Sequence, residues 1–288
     1  MSGFFLNINK EKGITSFDVI RKLRKILNIK TIGHSGTLDP LASGVLQIGV
    51  GDCAKLLDYL GSDKTYIADI IFGYNSETMD NEGEKIFVKT PDFTKDKLVE
   101  ILNSFIGKTN QTPPKYSAIK IKGQKLCDIA RRDPDKKISI PSREITIYSI
   151  DLLDFKGDKA KIKVHCAKGT YIRSLVFDIG QKLGCGAYMS DLIRTSAGNF
   201  KIENSQGLDC AQFNKINPLD TIELDKYELN EIEYKRIRNG NFIYPKRKME
   251  TEYVLLTKNN KLVSLAYLSD NQSGLEGVLK PKKNFKED

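Results

Sequence analysis

The sequence predicts an α+β protein built on a mixed, mainly antiparallel sheet, followed by a small β-rich domain. Residues 159–166 alternate between lysine or histidine and apolar side chains, which is typical of a strand with one solvated face. Other segments carry apolar residues at helical spacing, and the two kinds of segment follow each other without a strict strand–helix–strand rhythm. Short strand-like segments then follow residue 229. We therefore expect two domains, at residues 1–228 and 229–288.

Composition and charge limit the class of protein. The chain has 288 residues, 40% of them apolar, which is enough for a large core and a small one. No apolar run is long enough to span a membrane, and the first residues lack the pattern of a secretory signal, so we expect a cytoplasmic protein. The net charge of +9 is compatible with a nucleic acid partner but does not require one.

Cysteine and histidine usage argues against a metal site. The five cysteines are scattered and never spaced as C-x-x-C, and the sequence has only two histidines. We expect reduced thiols and no bound metal.

The first helix is predicted after Ile14, where Thr15 and Asp18 form a capping pattern. Its apolar face is predicted from residues at helical spacing: Phe17, Val19, Ile20, Leu23, Ile26 and Leu27. Its other face carries basic residues that we expect to be solvated: Arg21, Lys22, Arg24 and Lys25.

Residues 33–44, GHSGTLDPLASG, are predicted to form a loop because glycines and a proline interrupt both helix and strand. An apolar strand is expected at residues 45–50. A second strand should bury Tyr66, Ala68, Ile70 and Phe72, which share one parity. Residues 73–84 are predicted to be a polar loop.

The remaining elements are predicted from similar patterns. Residues 93–105 and residues 170–183 fit helices, with Gly184 as the stop of the second. In the C-terminal domain, residues 228–238 fit a helix, and two strands should flank the turn at residues 258–261.

The loop at residues 33–44 is the best candidate for a functional site, because it combines a histidine and a carboxylate with a flexible backbone. Composition alone leaves a second interpretation open, in which Asp39 only hydrogen-bonds its own turn. The glycine spacing matches neither the phosphate-loop nor the dinucleotide-binding template, which argues against a nucleotide cofactor.

The longer segment GHSGTLDPLASGVLQIGVG closely resembles the catalytic motif of the TruB family of pseudouridine synthases, whose nucleophile is the Asp before Pro. Other segments resemble the family's further motifs in the same order: residues 9–16, 64–73, 111–124, 166–175 and 191–200. The resemblance covers roughly residues 4–200. The tail beginning YKRIRNGNFI is similar, more weakly, to the family's PUA-like C-terminal domain.

The resemblance implies a tRNA pseudouridine(55) synthase that flips a uridine out of the T loop and attacks it with Asp39. By the same resemblance, Arg173 pairs with Asp39, and Tyr66 stacks on the flipped base or assists proton transfer. A bidentate guanidinium would hold the aspartate and keep it ionised. No cofactor is expected, because exchanging a C–N for a C–C bond at one ribose involves no net oxidation and no energy input.

Three further residues are implied to contact or shape the substrate site. His34 resembles the residue that enters the RNA stack where the target base leaves. Lys10 is expected to shape the site or to meet a phosphate, and Leu192 to pack near the base.

Two positions depart from the family pattern: Glu11 replaces the proline that usually follows Lys10, and Cys127 replaces a tyrosine. The expected partner is the T arm of tRNA, gripped by residues 111–132, with no guide RNA, membrane, metal or obligate protein partner. Basic C-terminal residues should meet phosphates: Lys246, Arg247, Lys248, Lys280, Lys282 and Lys283. Two alternatives remain, a guide-dependent synthase of the dyskerin type and an RNA-folding helper.

Overall fold

The structure is a computed structural model that describes residues 3–117, 119–121, 123–133, 138–269 and 277–285. Within these residues the α-helices are α1 (Ser16–Leu27), α2 (Lys95–Asn103), α3 (Leu126–Arg132), α4 (Ile172–Leu183), α5 (Pro218–Thr221) and α6 (Glu231–Arg238). The strands are β1 (Gly3–Lys10), β2 (Ile32–Ser35), β3 (Ser43–Gly51), β4 (Lys64–Phe72), β5 (Tyr74–Ser76), β6 (Lys85–Phe87), β7 (Gly107–Gln111), β8 (Lys120–Ile121), β9 (Gln124–Lys125), β10 (Arg143–Lys156), β11 (Lys159–Cys166), β12 (Ala187–Ala197), β13 (Phe200–Lys201), β14 (Asp225–Glu228), β15 (Tyr253–Lys258), β16 (Lys261–Ser269) and β17 (Val278–Asn284). None of the helices in these ranges is long and apolar enough to cross a membrane.

A large mixed sheet organises the first part of the chain. Its main strand order is β1-β3-β12-β4-β11-β10-β7, with β2 added to β3 and β13 to β12. All of these pairs are antiparallel except β12 with β3, which are parallel over a short contact at Ile193 and Arg194. The expected α+β class with a mainly antiparallel sheet is confirmed.

One core of this part lies between the sheet and the helices α2 and α4. Strand β4 buries Tyr66, Ala68, Ile70 and Phe72 on one face, as predicted from their parity. That face packs against Leu98 and Leu102 of α2 and against Leu175, Val176 and Ile179 of α4. Burial of these side chains fixes α4 against the sheet, which determines where its polar residues can reach.

Helix α1 begins as predicted, because the Thr15 side chain accepts a hydrogen bond from the Asp18 backbone and the Asp18 carboxylate accepts one from the Thr15 backbone. The predicted apolar face was too wide. Phe17 and Ile26 are 59% and 54% exposed. They flank the buried stripe that Ser16, Val19, Ile20 and Leu23 form, and a helix buries only one such stripe.

The predicted loop at residues 33–44 is shorter in the structure. His34 and Ser35 belong to strand β2, which pairs with β3, and β3 already begins at Ser43. Strand β3 is buried and pairs with β1 along one edge. The backbone N–H and C=O groups of its other edge also need hydrogen-bond partners, and β2 supplies some of them. The free loop is therefore residues 36–42. Residues 73–84, predicted as a loop, likewise contain strand β5.

The C-terminal part forms a four-stranded sheet in the order β14-β15-β16-β17. Strand β14 belongs to this sheet although it lies before residue 229, where the sequence predicts the second domain to begin. The domain boundary stays a prediction. Helix α6 is capped by Asn230, and the β15–β16 turn has Asn259 and Asn260 in the left-handed region. Leu255, Leu265 and Phe285 of this part share a buried cluster with Phe5 and Val45 of the large sheet, so the two sheets pack together.

Candidate active site

The loop at residues 36–42 is anchored on both sides of Asp39. Ser16 at the start of α1 exchanges hydrogen bonds with Leu38: its hydroxyl donates to the Leu38 carbonyl (3.0 Å) and accepts from the Leu38 N–H (2.9 Å). The Gly13 N–H and the Lys10 ammonium both donate to the Pro40 carbonyl, at 2.8 and 3.3 Å. Asp39 therefore sits between two fixed backbone positions, which limits its movement.

The carboxylate of Asp39 meets the guanidinium of Arg173 on α4. Arg173 Nη2 lies 2.9 Å from Asp39 Oδ2, and the Asp39 side chain remains 36% exposed while that of Arg173 is 5% exposed. The pair predicted from the sequence is thus adjacent in the fold. The aspartate is the member of the pair that a ligand can reach.

The contact differs from the expected two-point grip on Asp39. Arg173 Nη1 lies 3.2 Å from Oδ2 of Asp80, whose carboxylate is only 2% exposed. The same guanidinium donates to the carbonyls of Thr78 and Tyr116, at 3.2 and 2.9 Å. Arg173 therefore bridges two carboxylates and two carbonyls, and two of these four groups, on Thr78 and Asp80, belong to the segment between β5 and β6.

The electrostatic balance at Asp39 also differs from the expectation. Burial raises the pKa of the Asp39 carboxyl above its usual range, the Arg173 guanidinium lowers it, and the charge of Asp80 raises it again. The net direction is upward, so the arginine does not fully offset the lost hydration. A carboxylate of raised pKa is a stronger base and a stronger nucleophile once it is ionised.

Tyr66 and Leu192 lie on neighbouring strands beside the loop. Both are buried, at 7% and 6% exposure, and share a cluster with Leu38 and Ala42 of the loop. Burial raises the pKa of the Tyr66 phenol, so the hydroxyl stays protonated at neutral pH. Tyr66 lies opposite Arg194 in the β4–β12 ladder. The structure thus brings both predicted residues close to Asp39, and their roles stay predictions.

His34 lies on β2 at the entrance of the loop and is half-buried, and its Nδ1 has no hydrogen-bond partner among the residues that the structure describes. Burial, followed by the positive charge of Arg194, lowers the pKa of its imidazole, so the ring is neutral at pH 7. A neutral ring suits the predicted stacking role.

Lys10 is fully buried and its ammonium donates to the carbonyls of Glu11, Ile14 and Pro40. Burial lowers the pKa of Lys10 to about 8. Of the two roles predicted for this residue, shaping the site fits this position. A phosphate contact does not fit, because all three ammonium hydrogens are directed at the backbone.

Sequence reasoning missed two residues of the site, Asp80 and Arg194. Asp80 lies in a segment predicted to be a polar loop. In such a segment the sequence does not distinguish a buried carboxylate from a solvated one. Arg194 has no exposed surface and binds the Val45 and Gly36 carbonyls, at 2.7 and 3.1 Å. Its position in the segment DLIRTSAGNF was the only available signal. Among the described residues no group of His, Cys, Asp or Glu could hold a metal ion.

Part of the expected RNA grip lies outside the described residues, namely positions 118 and 122 of the segment 111–132. Cys127, one of the two departures from the family pattern, is half-buried on α3 with its Sγ 3.7 Å from Asp128 Oδ1.

Comparison with known proteins identifies relatives along most of the chain. The model of the TruB family pseudouridylate synthase N-terminal domain matches residues 24–172, and that of the tRNA pseudouridylate synthase B C-terminal domain matches residues 173–226. A tRNA pseudouridine synthase B from Fusobacterium nucleatum subsp. nucleatum is 46% identical over 92% of this chain and 95% of its own length. The protein of the same name from Clostridioides difficile is 39% identical over 94% of this chain and 92% of its own.

Among solved structures, a chain of a Cbf5-Nop10-Gar1 complex matches with a TM-score of 0.71 and 24% identity, over 99% of this chain and 85% of that one. This likeness concerns the fold alone. The matched motifs, the fold and the sequence identity to the two bacterial relatives agree, and the chain belongs to the TruB family of pseudouridine synthases.

Proposed function

We propose that this chain isomerises uridine 55 in the T loop of tRNA to pseudouridine, with Asp39 as the nucleophile and without a guide RNA. As a TruB family member with relatives named tRNA pseudouridine synthase B, it is a tRNA pseudouridine synthase, an isomerase. The observation that carries the finer proposal is the half-exposed Asp39 carboxylate held beside Arg173 in an anchored loop.

The chemistry requires a covalent hold on the base or sugar while the glycosidic bond breaks and the C–C bond forms. An ionised Asp39 supplies the attacking oxygen, and Arg173 keeps that oxygen oriented through its single contact. The apolar walls formed by Leu38 and Leu192 exclude water that would compete for the reactive intermediate. Tyr66, with a protonated hydroxyl, stacks on the base or assists the proton transfer.

Reaching a uridine inside a folded T loop requires base flipping, which costs a few kcal/mol of stacking. The neutral imidazole of His34, at the entrance of the loop, fits the vacated place in the stack. With a tRNA substrate, we propose that the protein acts in the cytoplasm.

Guide independence is supported by the pattern of similarity. Curated relatives named tRNA pseudouridine synthase B match nearly full length at 39% and 46% identity. The structures of Cbf5 complexes, which include an H/ACA RNP bound to a substrate RNA, match at 24% and 23%. The chain is therefore nearer in sequence to the first group.

The decisive test is Asp39→Asn, which is nearly isosteric but is not a competent nucleophile. We expect pseudouridine formation in tRNA incubated with the protein alone to fall by more than three orders of magnitude, while tRNA binding persists. Asp209→Asn, at an exposed position, is the matched control. Turnover within about tenfold of the unaltered protein, roughly 1.4 kcal/mol of barrier, would exclude Asp39 as nucleophile. Measuring tRNA folding with the same variant tests the alternative of a folding helper, which does not need the carboxylate.

A further inference from the structure

Two cations from different strands meet beside Gly36, three residues before Asp39. The place that a Cβ atom on Gly36 would occupy lies 3.4 Å from Lys64 Nζ of β4 and 3.5 Å from Arg194 Nη1 of β12. We call Gly36, Lys64 and Arg194 the Gly36 pocket. Gly36 itself is exposed and Lys64 is half-buried, so the pocket opens to solvent beside the proposed nucleophile.

The positive charge of the Gly36 pocket lacks a counterion within the described part of the chain. Neither Lys64 nor Arg194 forms an ion pair with a carboxylate there. Arg194 is fully buried and lies near the Tyr66 phenol. Two of its nitrogens bind the Val45 and Gly36 carbonyls, and the third, Nη1, has no hydrogen-bond partner within the described residues. A buried donor without a partner is costly, and such groups call for an explanation.

Neighbouring groups add to this positive charge more than they offset it. Burial lowers the pKa of Lys64, and the charge of Arg194 lowers it further; Cys166 acts in the opposite direction, and Lys168 lowers it again. The carboxylate of Asp63 acts in the opposite direction but is the weakest of the influences, and its Oδ1 accepts a hydrogen bond from the Tyr148 hydroxyl at 3.3 Å. Clustered like charges without a counterion destabilise the free protein, and a bound anion would remove that cost.

We propose that the Gly36 pocket binds a backbone phosphate of the RNA that flanks the flipped uridine. This inference rests on the RNA substrate of the proposed function. Lys64 Nζ supplies the direct contact to the phosphate, and the fully buried Arg194 behind it contributes its positive charge. The absence of a side chain at Gly36 leaves room for the lysine beside the loop, since a Cβ there would lie 3.1 Å from Lys64 Cε. Binding the phosphate here holds the nucleotide next to Asp39.

The test couples Lys64→Met with removal of one phosphate charge. Lys64→Met keeps the aliphatic stem and removes the ammonium. T-arm RNAs carrying a neutral methylphosphonate on the 5′ or the 3′ side of the target uridine remove the proposed ligand. With ordinary RNA we expect about tenfold weaker binding and a log–log salt slope reduced by roughly 0.7 to 0.9. With the RNA whose methylphosphonate replaces the bound phosphate, we expect Lys64→Met to weaken binding no further.

Lys159→Met is the matched control, because Lys159 is exposed at the opposite end of β11 from the strand end that pairs with Lys64. We expect it to change neither the affinity nor the slope beyond the small effect of net charge. Lys64→Arg should retain most of the affinity. Melting temperatures of all variants check that they fold.

If Lys64→Met weakens binding of the ordinary RNA and both methylphosphonate RNAs equally, or not at all, the phosphate site is refuted. Pseudouridine formation by the unaltered protein is measured in parallel. If no pseudouridine forms, the proposed function is refuted. If pseudouridine forms but the effect of Lys64→Met on binding does not depend on either phosphate, only the phosphate site in the Gly36 pocket is refuted.

Discussion

Arg173 binds Asp39 through one nitrogen and Asp80 through another, which makes the planar shape of the guanidinium essential to the site. The ammonium of a lysine has the same charge but presents it from a single point. It could contact one carboxylate, not both, and it could not also reach the Thr78 and Tyr116 carbonyls.

We therefore expect Arg173→Lys to fold and to bind tRNA but to lose at least about a hundredfold in single-turnover rate, or roughly 2.7 kcal/mol of barrier. The measurement is pseudouridine formation at saturating enzyme. Arg21→Lys on the solvated face of α1 is a control with the same chemical change at an exposed position. A rate for Arg173→Lys close to that of the unaltered protein would show that the bridge is dispensable.

Asp80 has a predictable effect on pH dependence. The Asp39 carboxyl has a raised pKa, so the reactive ionised form is lost as the pH falls through that value, which lies above the ordinary aspartate range. The negative charge of Asp80 contributes to the raised pKa. Removing this charge with Asp80→Asn should lower the pKa of Asp39 and move the acid limb of the pH–rate profile to lower pH.

The maximal rate of Asp80→Asn should fall about tenfold, because Arg173 loses a charge-assisted hydrogen bond and is held less firmly. Single-turnover rates across the acid range measure both effects, with Asp209→Asn again as the control. An acid limb that stays in place or moves to higher pH would contradict the assignment of Asp80 as a source of the shift.

At the scale of elements, the candidate site depends on how β3 follows the loop at residues 36–42 and meets β12. Gly44 pairs with Arg194 in this contact and has φ +103°, which only glycine adopts without strain. A Cβ on Gly44 would overlap the carbonyl oxygen of Arg194 and lie 2.9 Å from its backbone nitrogen and carbon. These are backbone atoms of a buried strand, so they cannot move aside as a flexible side chain would.

Gly44→Ala should therefore destabilise the protein by more than about 2 kcal/mol, from both backbone strain and steric overlap. Gly184→Ala is the matched control: Gly184 ends α4 with φ +71°, but a Cβ there would meet no atom of the described residues within 4 Å. The control should cost about 1 kcal/mol. Urea unfolding of both variants separates the two contributions, and equal losses would mean that the overlap at Gly44 relaxes freely.

At the scale of the whole molecule, the small sheet is packed on the large one, which changes the expectation for the basic C-terminal residues. Lys283 Nζ donates to the Lys55 carbonyl at 2.6 Å, and Lys282 Nζ lies 4.3 Å from the centre of the Tyr253 ring. Lys283 therefore contacts the first part of the chain, whereas Lys282 is exposed, with its Nζ also 5.8 Å from the centre of the Tyr59 ring. Lys246 and Lys248 remain exposed on the segment after α6.

We expect Lys246→Ala/Lys248→Ala to reduce the log–log salt slope of tRNA binding by roughly 1.4 to 1.8, at about 0.7 to 0.9 for each lost phosphate contact. The rate at saturating enzyme should not change, because both residues lie outside the site. Lys95→Ala/Lys97→Ala on α2 removes the same charge from a helix that packs on β10 and α4. Equal slopes for the two double variants would leave only a general effect of net charge.

The sequence by itself determined the local elements and the identity of the central catalytic candidate. The Thr15–Asp18 cap, the parity of β4, the β11 hairpin and the end of α4 at Gly184 all depend on residues close together in the chain, whose short-range hydrogen bonds and periodic burial leave a readable pattern. Asp39 could be singled out because its motif is continuous. The resemblance to the TruB family added Tyr66 and Arg173 as candidate site residues.

Only the tertiary structure decided which side chains of the candidate site contact each other. Asp80 and Arg173 are 93 residues apart, and Arg194 and Val45 are 149 residues apart. Their contacts arise because β12 inserts between β3 and β4 while α4 packs across the sheet. No local pattern encodes such a contact, since a carboxylate or a guanidinium has the same sequence signature whether it is solvated or buried. Burial against a partner from another element changes its energetics, and that partner is determined by the packing of the whole sheet.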